Sequence, residues 1–169
     1  MAKGTLIALA LSAALAACAR ADGGEEACAF DRAYVGAAGS LALPGGGGDL
    51  RRLGGGVVRA GYYVAEAFAL EGEAGVFEDR AALAARGLVH FRAWREFDLL
   101  FGYERLDPFI TVGARGWFDR GDAGPALGLG AFYYLSDAWA LRFDAEATRG
   151  VERADETVYA LSFGVQYAF

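Results

Sequence analysis

The chain closes on "ETVYALSFGVQYAF" (156–169). From Thr157 every second residue is large or β-branched: Thr157, Tyr159, Leu161, Phe163, Val165, Tyr167 and Phe169. From Ala160 on, the residues between them are small or polar: Ala160, Ser162, Gly164, Gln166 and Ala168. A period of two marks an extended strand whose side chains alternate between two faces. One face is bulky up to the final aromatic, so this strand needs an apolar surrounding along its whole length.

The same alternation recurs upstream. It predicts strands over 33–43, 54–64, 67–77, 85–95, 107–118, 124–134, 138–148 and 157–169, eight in all. Most are about ten residues long, the length at which a tilted strand crosses a bilayer. The connections 44–54, 78–83, 119–124 and 149–156 are charged and carry most of the loop glycine. Ala65–Glu66 and Ser136–Asp137 read as tight hairpin turns. The connection 96–106 is longer and more apolar, and the strands beside it can extend into it. Long loops at one end and short turns at the other describe an all-β fold, an eight-stranded antiparallel up-and-down transmembrane β-barrel.

Bulk composition agrees. A length of 169 residues suits one domain. The net charge of -6 leaves no basic stripe for phosphates, so nucleic acid is not expected as a partner. At 55% apolar the chain is too hydrophobic for disorder, yet no stretch beyond the N-terminus is long enough for a spanning helix. The hydrophobicity is interleaved rather than run together.

Residues 1–21 read as a signal peptide. Lys3 supplies a weak positive region, Leu6 to Ala17 is apolar apart from Ser12, and Ala19-Arg20-Ala21 fits a cleavage site before Asp22. A second reading stays open: Leu15-Ala16-Ala17-Cys18 resembles a lipobox, in which Cys18 would be acylated. Residues 22–32 form a short polar leader, and the barrel is expected over 33–169. With Cys18 removed, Cys28 stands alone and makes no intrachain disulfide.

Sorting the strands by parity separates two faces. One holds Val35, Leu41, Val58, Tyr62, Val64, Phe68, Leu70, Val76, Val89 and Phe91. It continues through Ile110, Val112, Phe118, Leu127, Leu129, Tyr133, Trp139, Leu141 and Phe143 to the bulky set of the last strand. The other face holds Arg59, Glu71, Glu73, His90, Arg92, Arg115, Arg142, Asp144 and Glu146, with Ser40, Thr111 and Gln166 among Gly and Ala. The four arginines there balance the four carboxylates.

A soluble lipocalin-like carrier would turn the apolar face inward, and a membrane barrel would turn it out. Eight strands enclose a lumen barely wide enough for side chains, too narrow for more than twenty bulky groups. After Lys3 the chain has no lysine, and arginine is the better partner for dehydrated carboxylates. Tyr62, Tyr63, Trp117, Phe118, Tyr133, Tyr134, Trp139, Tyr159 and Tyr167 fall near strand ends, where an aromatic girdle belongs. The membrane orientation follows. It also accounts for the abrupt end, because an open edge strand in lipid leaves backbone groups unpaired.

Four segments carry a family resemblance: "GYYVAEAFALEGEAG" (61–75), "DPFITVGARGWF" (107–118), "GLGAFYYLSDAWALRFDAEA" (128–147) and "YALSFGVQYAF" (159–169). The chain resembles the OmpA-type eight-stranded outer-membrane barrels of Gram-negative bacteria over roughly 33–169. The resemblance implies export to the outer membrane, a surrounding of outer-membrane lipid and lipopolysaccharide, and Tyr167 and Phe169 as the signal read by the barrel-assembly machinery. It differs from full-length OmpA in having no peptidoglycan-binding domain after the barrel, so tethering to the cell wall is not implied.

Some small outer-membrane barrels, the lipid A deacylases, resemble this architecture and are enzymes. Their His, Ser and acidic group lie on the lipid-facing side. Here the one histidine, His90, points inward by parity, and residue 92 is Arg rather than Ser. No catalytic set, metal cluster or cofactor is expected. The carboxylate pairs Glu71/Glu73 and Asp144/Glu146 could do acid–base work, but their match to the arginines favours charge neutralisation. The expected protein is a structural or surface-interacting barrel with a plugged interior and no open pore. A lipid-modifying enzyme and an apolar-ligand carrier are the alternatives. The loop ligand is not specified by the sequence.

Overall fold

The computed structural model describes residues 33–45, 53–65, 67–78, 80–91, 105–118, 122–150 and 157–169. Eight strands run in chain order: β1 (Ala33–Pro44), β2 (Leu53–Ala65), β3 (Phe68–Phe77), β4 (Arg80–His90), β5 (Leu106–Trp117), β6 (Asp122–Tyr134), β7 (Trp139–Arg149) and β8 (Thr157–Ala168). Each pairs antiparallel with its sequence neighbours, and β8 returns to β1 to close the barrel. The closing ladder runs from Tyr34↔Ala168 to Pro44↔Val158, and Phe169 N–H adds a bond to Ala33 O at 2.9 Å. Closure leaves no unpaired edge, the condition for β-structure in hydrocarbon.

Ala33, Ala65, Phe68, His90, Leu106, the 135–138 turn and Phe169 lie at one end of the barrel, the terminal end, and Pro44, Leu53, Phe77, Arg80, Trp117, Asp122, Arg149 and Thr157 lie at the other. The 135–138 turn is held by Trp139 O, which accepts from Leu135 N (2.8 Å) and Ser136 N (3.2 Å). The Ser136 hydroxyl accepts from Trp139 N at 3.1 Å. A register shift between Tyr63 and Ala65 bends β2 just before its own turn.

One strand is displaced from its predicted place. The alternation was read over 85–95, but β4 occupies 80–90. Phe77 pairs directly with Arg80, and Glu78 after Phe77 adopts a positive φ of 52°. That left-handed conformation is usually supplied by Gly or Asn, so the charged run 78–83 looked like a loop. The shift keeps the parity of β4 and places Arg86 well inside the barrel.

The two faces divide as their parity requires. Leu127 (62%), Leu129 (63%) and Phe163 (61%) are among the most exposed side chains, while the arginines and carboxylates of the strands lie inside. A lipocalin-like arrangement, with charges in water and apolar groups within, is therefore excluded. The aromatic girdle is only partly as expected. Tyr62, Phe118, Tyr133, Trp139 and Tyr159 are exposed, but Tyr63, Trp117 and Tyr134 face the lumen. Each of the three is the chain neighbour of an outward aromatic, and the pleat cannot turn adjacent residues to one face.

The lumen also holds more carbon than its Gly and Ala content suggests. Tyr34, Leu88, Phe109 and Phe132 pack together toward the terminal end. Val57, Phe77 and Trp117 pack toward the opposite end. Glycine makes the room: a Cβ on Gly61 would stand 2.2 Å from the Tyr34 ring, and one on Gly130 would stand 2.5 Å from Phe109.

Candidate functional site: the charged lumen

Between the two aromatic layers lies a closed cluster of charge. Arg59 (β2), Arg86 (β4), Arg115 (β5) and Arg142 (β7) meet Glu71 and Glu73 (β3) and Asp144 and Glu146 (β7). All eight are almost completely buried. The strands deliver them by alternation alone, since i, i+2 spacing places Glu71/Glu73 and Asp144/Glu146 on the inner face.

Arg142 binds Glu71 with two nitrogens: Nη1 to Oε2, and Nη2 to Oε1 at 3.1 Å. Its Nε donates to Asp144 Oδ2 at 3.2 Å. Tyr34 OH adds a bond to Glu71 Oε2 at 2.9 Å. Arg59 donates to Glu73 Oε2 (2.7 Å) and Asp144 Oδ1 (3.2 Å). Arg115 donates to Glu73 Oε1 (2.7 Å) and Glu146 Oε1 (2.8 Å), and Thr148 donates to the same Glu146 oxygen at 3.3 Å. Each carboxylate thus bridges at least two cations, and no charge can leave without unpairing others.

Arg86 behaves differently. Its guanidinium stands 2.6 Å from Glu73, 2.9 Å from Glu146, 3.6 Å from Glu71 and 3.7 Å from Asp144. None of its N–H groups is aimed well enough to form a hydrogen bond. We read the distances as true ion pairing and the angles as non-directional. Arg86 acts as a central positive charge, while the other three arginines act as hydrogen-bonding forks.

The aromatic layers touch this cluster through its outermost cations. Arg142 lies over Phe109 (5.0 Å) and Phe132 (5.2 Å), and Arg115 lies over Trp117 (5.9 Å). A guanidinium against a ring face is attracted by the ring quadrupole and gives up little water to be there. Ser162 and Ser40, on β8 and β1, bond to each other at 3.0 Å across the closing seam.

His90 stands apart from the cluster. Its Nδ1 is 2.8 Å from Asp107 Oδ2, and Tyr134 OH donates to the same oxygen at 3.1 Å. The imidazole stacks on Phe132 (5.6 Å, 10° between planes), with Tyr63 and Phe109 as further neighbours. Its Nε2 has no hydrogen-bond partner among the described residues. A His–Asp pair is half of an acyl-transfer arrangement, but among the described residues no hydroxyl or thiol bonds Nε2 to complete it. No group of three or more metal-ligating side chains is present among the described residues.

Of the nine residues expected in the interior network, Arg59, Glu71, Glu73, Arg115, Arg142, Asp144 and Glu146 come together. His90 faces inward in a separate site, and Arg92 lies outside the described residues, as do the signal segment (1–21) and leader (22–32). Arg86 and Asp107 were missed. The signal for Arg86 was its parity with His90, which sets it opposite Glu71 in the β3–β4 ladder. The signal for Asp107 was its shared parity with Arg115. At the terminal end, Tyr167 packs edge-on to Trp139 (4.9 Å) and to Phe169 (5.0 Å).

No protein-family model matches the chain, and no curated protein sequence does. Solved structures do. The N-terminal β-barrel domain of Pseudomonas aeruginosa OprF is similar with a TM-score of 0.59 at 17% identity, over 82% of this chain and 98% of that one. Neisserial surface protein A is similar with a TM-score of 0.57 at 13% identity, over 86% of this chain and all (100%) of that one. A de novo designed transmembrane β-barrel gives 0.54 at 18% identity, over 80% and 95%. At such identities the likeness is one of fold, that of small eight-stranded transmembrane β-barrels, consistent with an OmpA-like architecture.

Proposed function

We propose that this protein is an integral outer-membrane β-barrel of a Gram-negative bacterium, with a structural or surface-interaction role and a lumen closed to solutes. The carrying observation is the arrangement of the interior. Four arginines and four carboxylates interlock between two layers of aromatic side chains, so no polar path through the barrel is free of ion pairs. The exterior supports the location: strands of 10–13 residues carry an apolar band that only lipid can cover.

On this reading residues 1–21 direct export, and Tyr167 and Phe169 present the terminal strand to the barrel-assembly machinery. Lipopolysaccharide and phospholipid surround the wall. The charged connections are the surface available to a partner on this reading. NspA, a surface protein by its name, shares the fold and supports the same placement. The protein is not an enzyme on this reading, because His90–Asp107 sits in the lumen, away from the lipid and with no nucleophile beside it among the described residues.

Outer-membrane fractionation followed by a gel of boiled and unboiled samples tests the location. A faster band without boiling, in the outer-membrane fraction, is expected. A soluble periplasmic protein with no heat shift would overturn it. Planar-bilayer recording tests the closed lumen: no conductance steps are expected from the wild-type barrel, and regular steps would overturn it.

A further inference from the structure

The lipid-facing wall is not uniformly bulky. Across β1 to β4 it is cut by a crevice of about 680 Å³, bordered on one side by Ala33 and Tyr34 of β1. Ala60, Gly72 and Ala85 form its floor, side by side in the two ladders Ala60↔Gly72 and Gly72↔Ala85. Tyr62 and Leu70, a cross-strand pair that is 42% and 51% exposed, stand as its wall. Glu71 and Arg86 bound it from behind, but their side chains are turned into the lumen and held there by the charge cluster. No ionic group of the strands therefore reaches the crevice from the outside.

We propose that this crevice is a binding site for one hydrocarbon chain of a membrane lipid. Its position argues for that occupant. Gly72 is the fifth residue of the ten in β3, and Ala85 is the sixth of the eleven in β4. Both sit at mid-height in the wall, and the crevice runs from there toward Ala33 and Tyr62 near the terminal end. The crevice is continuous with the exposed apolar surface, which on the proposed reading meets acyl chains. A hollow of this size left unfilled would lose dispersion contacts along its whole floor, and an apolar hollow does not hold water.

A second copy of the chain fits less well. A two-fold contact sets the same surface against itself, here small residues against small residues, which doubles the gap. The bulky ridges that could fill it, such as Leu127, Leu129 and Phe163, lie on β6 and β8. A contact between ridge and crevice would be head-to-tail and would not close on itself.

Gly72 supplies a clean test, because a side chain added there meets nothing within 4 Å. The substitution Gly72→Leu should fold and fill the crevice. Gly39→Leu is the control: it has equally open space, on β1, away from the crevice. Each barrel is reconstituted in phosphatidylcholine vesicles containing a phosphatidylcholine with a nitroxide on its acyl chain. Spin-label spectra then report the motionally restricted lipid, and cross-linking reports association of barrels.

The expected result is that Gly72→Leu loses part of the restricted component while Gly39→Leu keeps it. The same loss is expected of Ala85→Leu, which keeps the test open should the glycine variant not assemble. An equal restricted component in all the barrels would overturn the proposal. So would a cross-linked dimer that only crevice-filling variants abolish, since that assigns the crevice to a second copy. The inference rests on the lipid-facing reading of the exterior. A protein that restricts no lipid at any position would defeat that reading, rather than the crevice alone.

Discussion

Arg142 on β7 and Glu71 on β3 meet across the lumen, with two guanidinium nitrogens on two carboxylate oxygens, between strands that share no ladder. The pair crosses the barrel rather than running along its wall. Neither side chain has water to turn to. Burying two ions costs about as much as pairing returns, so the pair need not add net stability. Removing one partner is another matter, because it strands the other. Glu71→Ala and Arg142→Ala should each cost about 3–5 kcal/mol, read from the urea midpoint of the heat-modifiable band. An unchanged midpoint for both would sink the interlocked interior.

Arginine at positions 142 and 86 should not respond alike to lysine. Arg142 uses a fork, and an ammonium cannot reproduce its bonds to Glu71 and Asp144. Arg142→Lys should lose about 1.5–3 kcal/mol, the scale of a hydrogen bond to a charged group. Arg86 makes no directed hydrogen bond and acts through its charge, so Arg86→Lys should lose less. The comparison is of two unfolding midpoints in one lipid, and equal losses would refute the division of roles.

Burial also sets the response to salt. Raising ionic strength from about 0.1 M to about 1 M shortens the screening length from roughly 10 Å to roughly 3 Å. Exposed pairs weaken under that change, but the lumen pairs lie between two aromatic layers that exclude ions. The urea midpoint should therefore move little with salt, and a steep fall would place the cluster in contact with solvent.

Two glycines on neighbouring strands make a paired prediction. Gly61 faces Tyr34, and a Cβ there would enter its ring at 2.2 Å. Gly61→Ala should cost about 1–3 kcal/mol through overpacking, unless Tyr34 swings away and gives up its bond to Glu71. Gly72→Ala has open space and should stay within about 0.5 kcal/mol of wild type, as surface substitutions do. Refolding yield and midpoint in detergent separate the two.

Most of the barrel was readable because alternation is a strict rule. Once one strand's bulky face was assigned to lipid, the inward place of Arg59, Glu73, Arg115 and Glu146 followed without further information. The failures occurred where another signal stood in for alternation. Glu78 takes a glycine-like conformation with a carboxylate side chain, so the start of β4 was read as a loop and β4 was set five residues late. Adjacent aromatics such as Tyr62–Tyr63 and Tyr133–Tyr134 were both sent to the girdle, although the pleat sends one of each pair inside. Tyr34 and Phe109 were hidden by chain distance, because the glycines that give them space, Gly61 and Gly130, belong to other strands.

The last strand separates stability from assembly. Phe169 holds Ala33 O through its backbone N–H, and its ring meets Tyr167 at the exposed terminal rim. Phe169→Ala keeps the backbone bond and removes only the exposed ring. Its purified, refolded barrel should unfold at nearly the wild-type urea concentration. In cells its outer-membrane level should fall if, as proposed, the assembly machinery reads the aromatic end. Both quantities come from one pair of gels, one of refolded protein and one of membrane fractions. Equal membrane levels would remove Phe169 from the assembly signal. A large drop in midpoint would instead assign the ring a structural role at the seam.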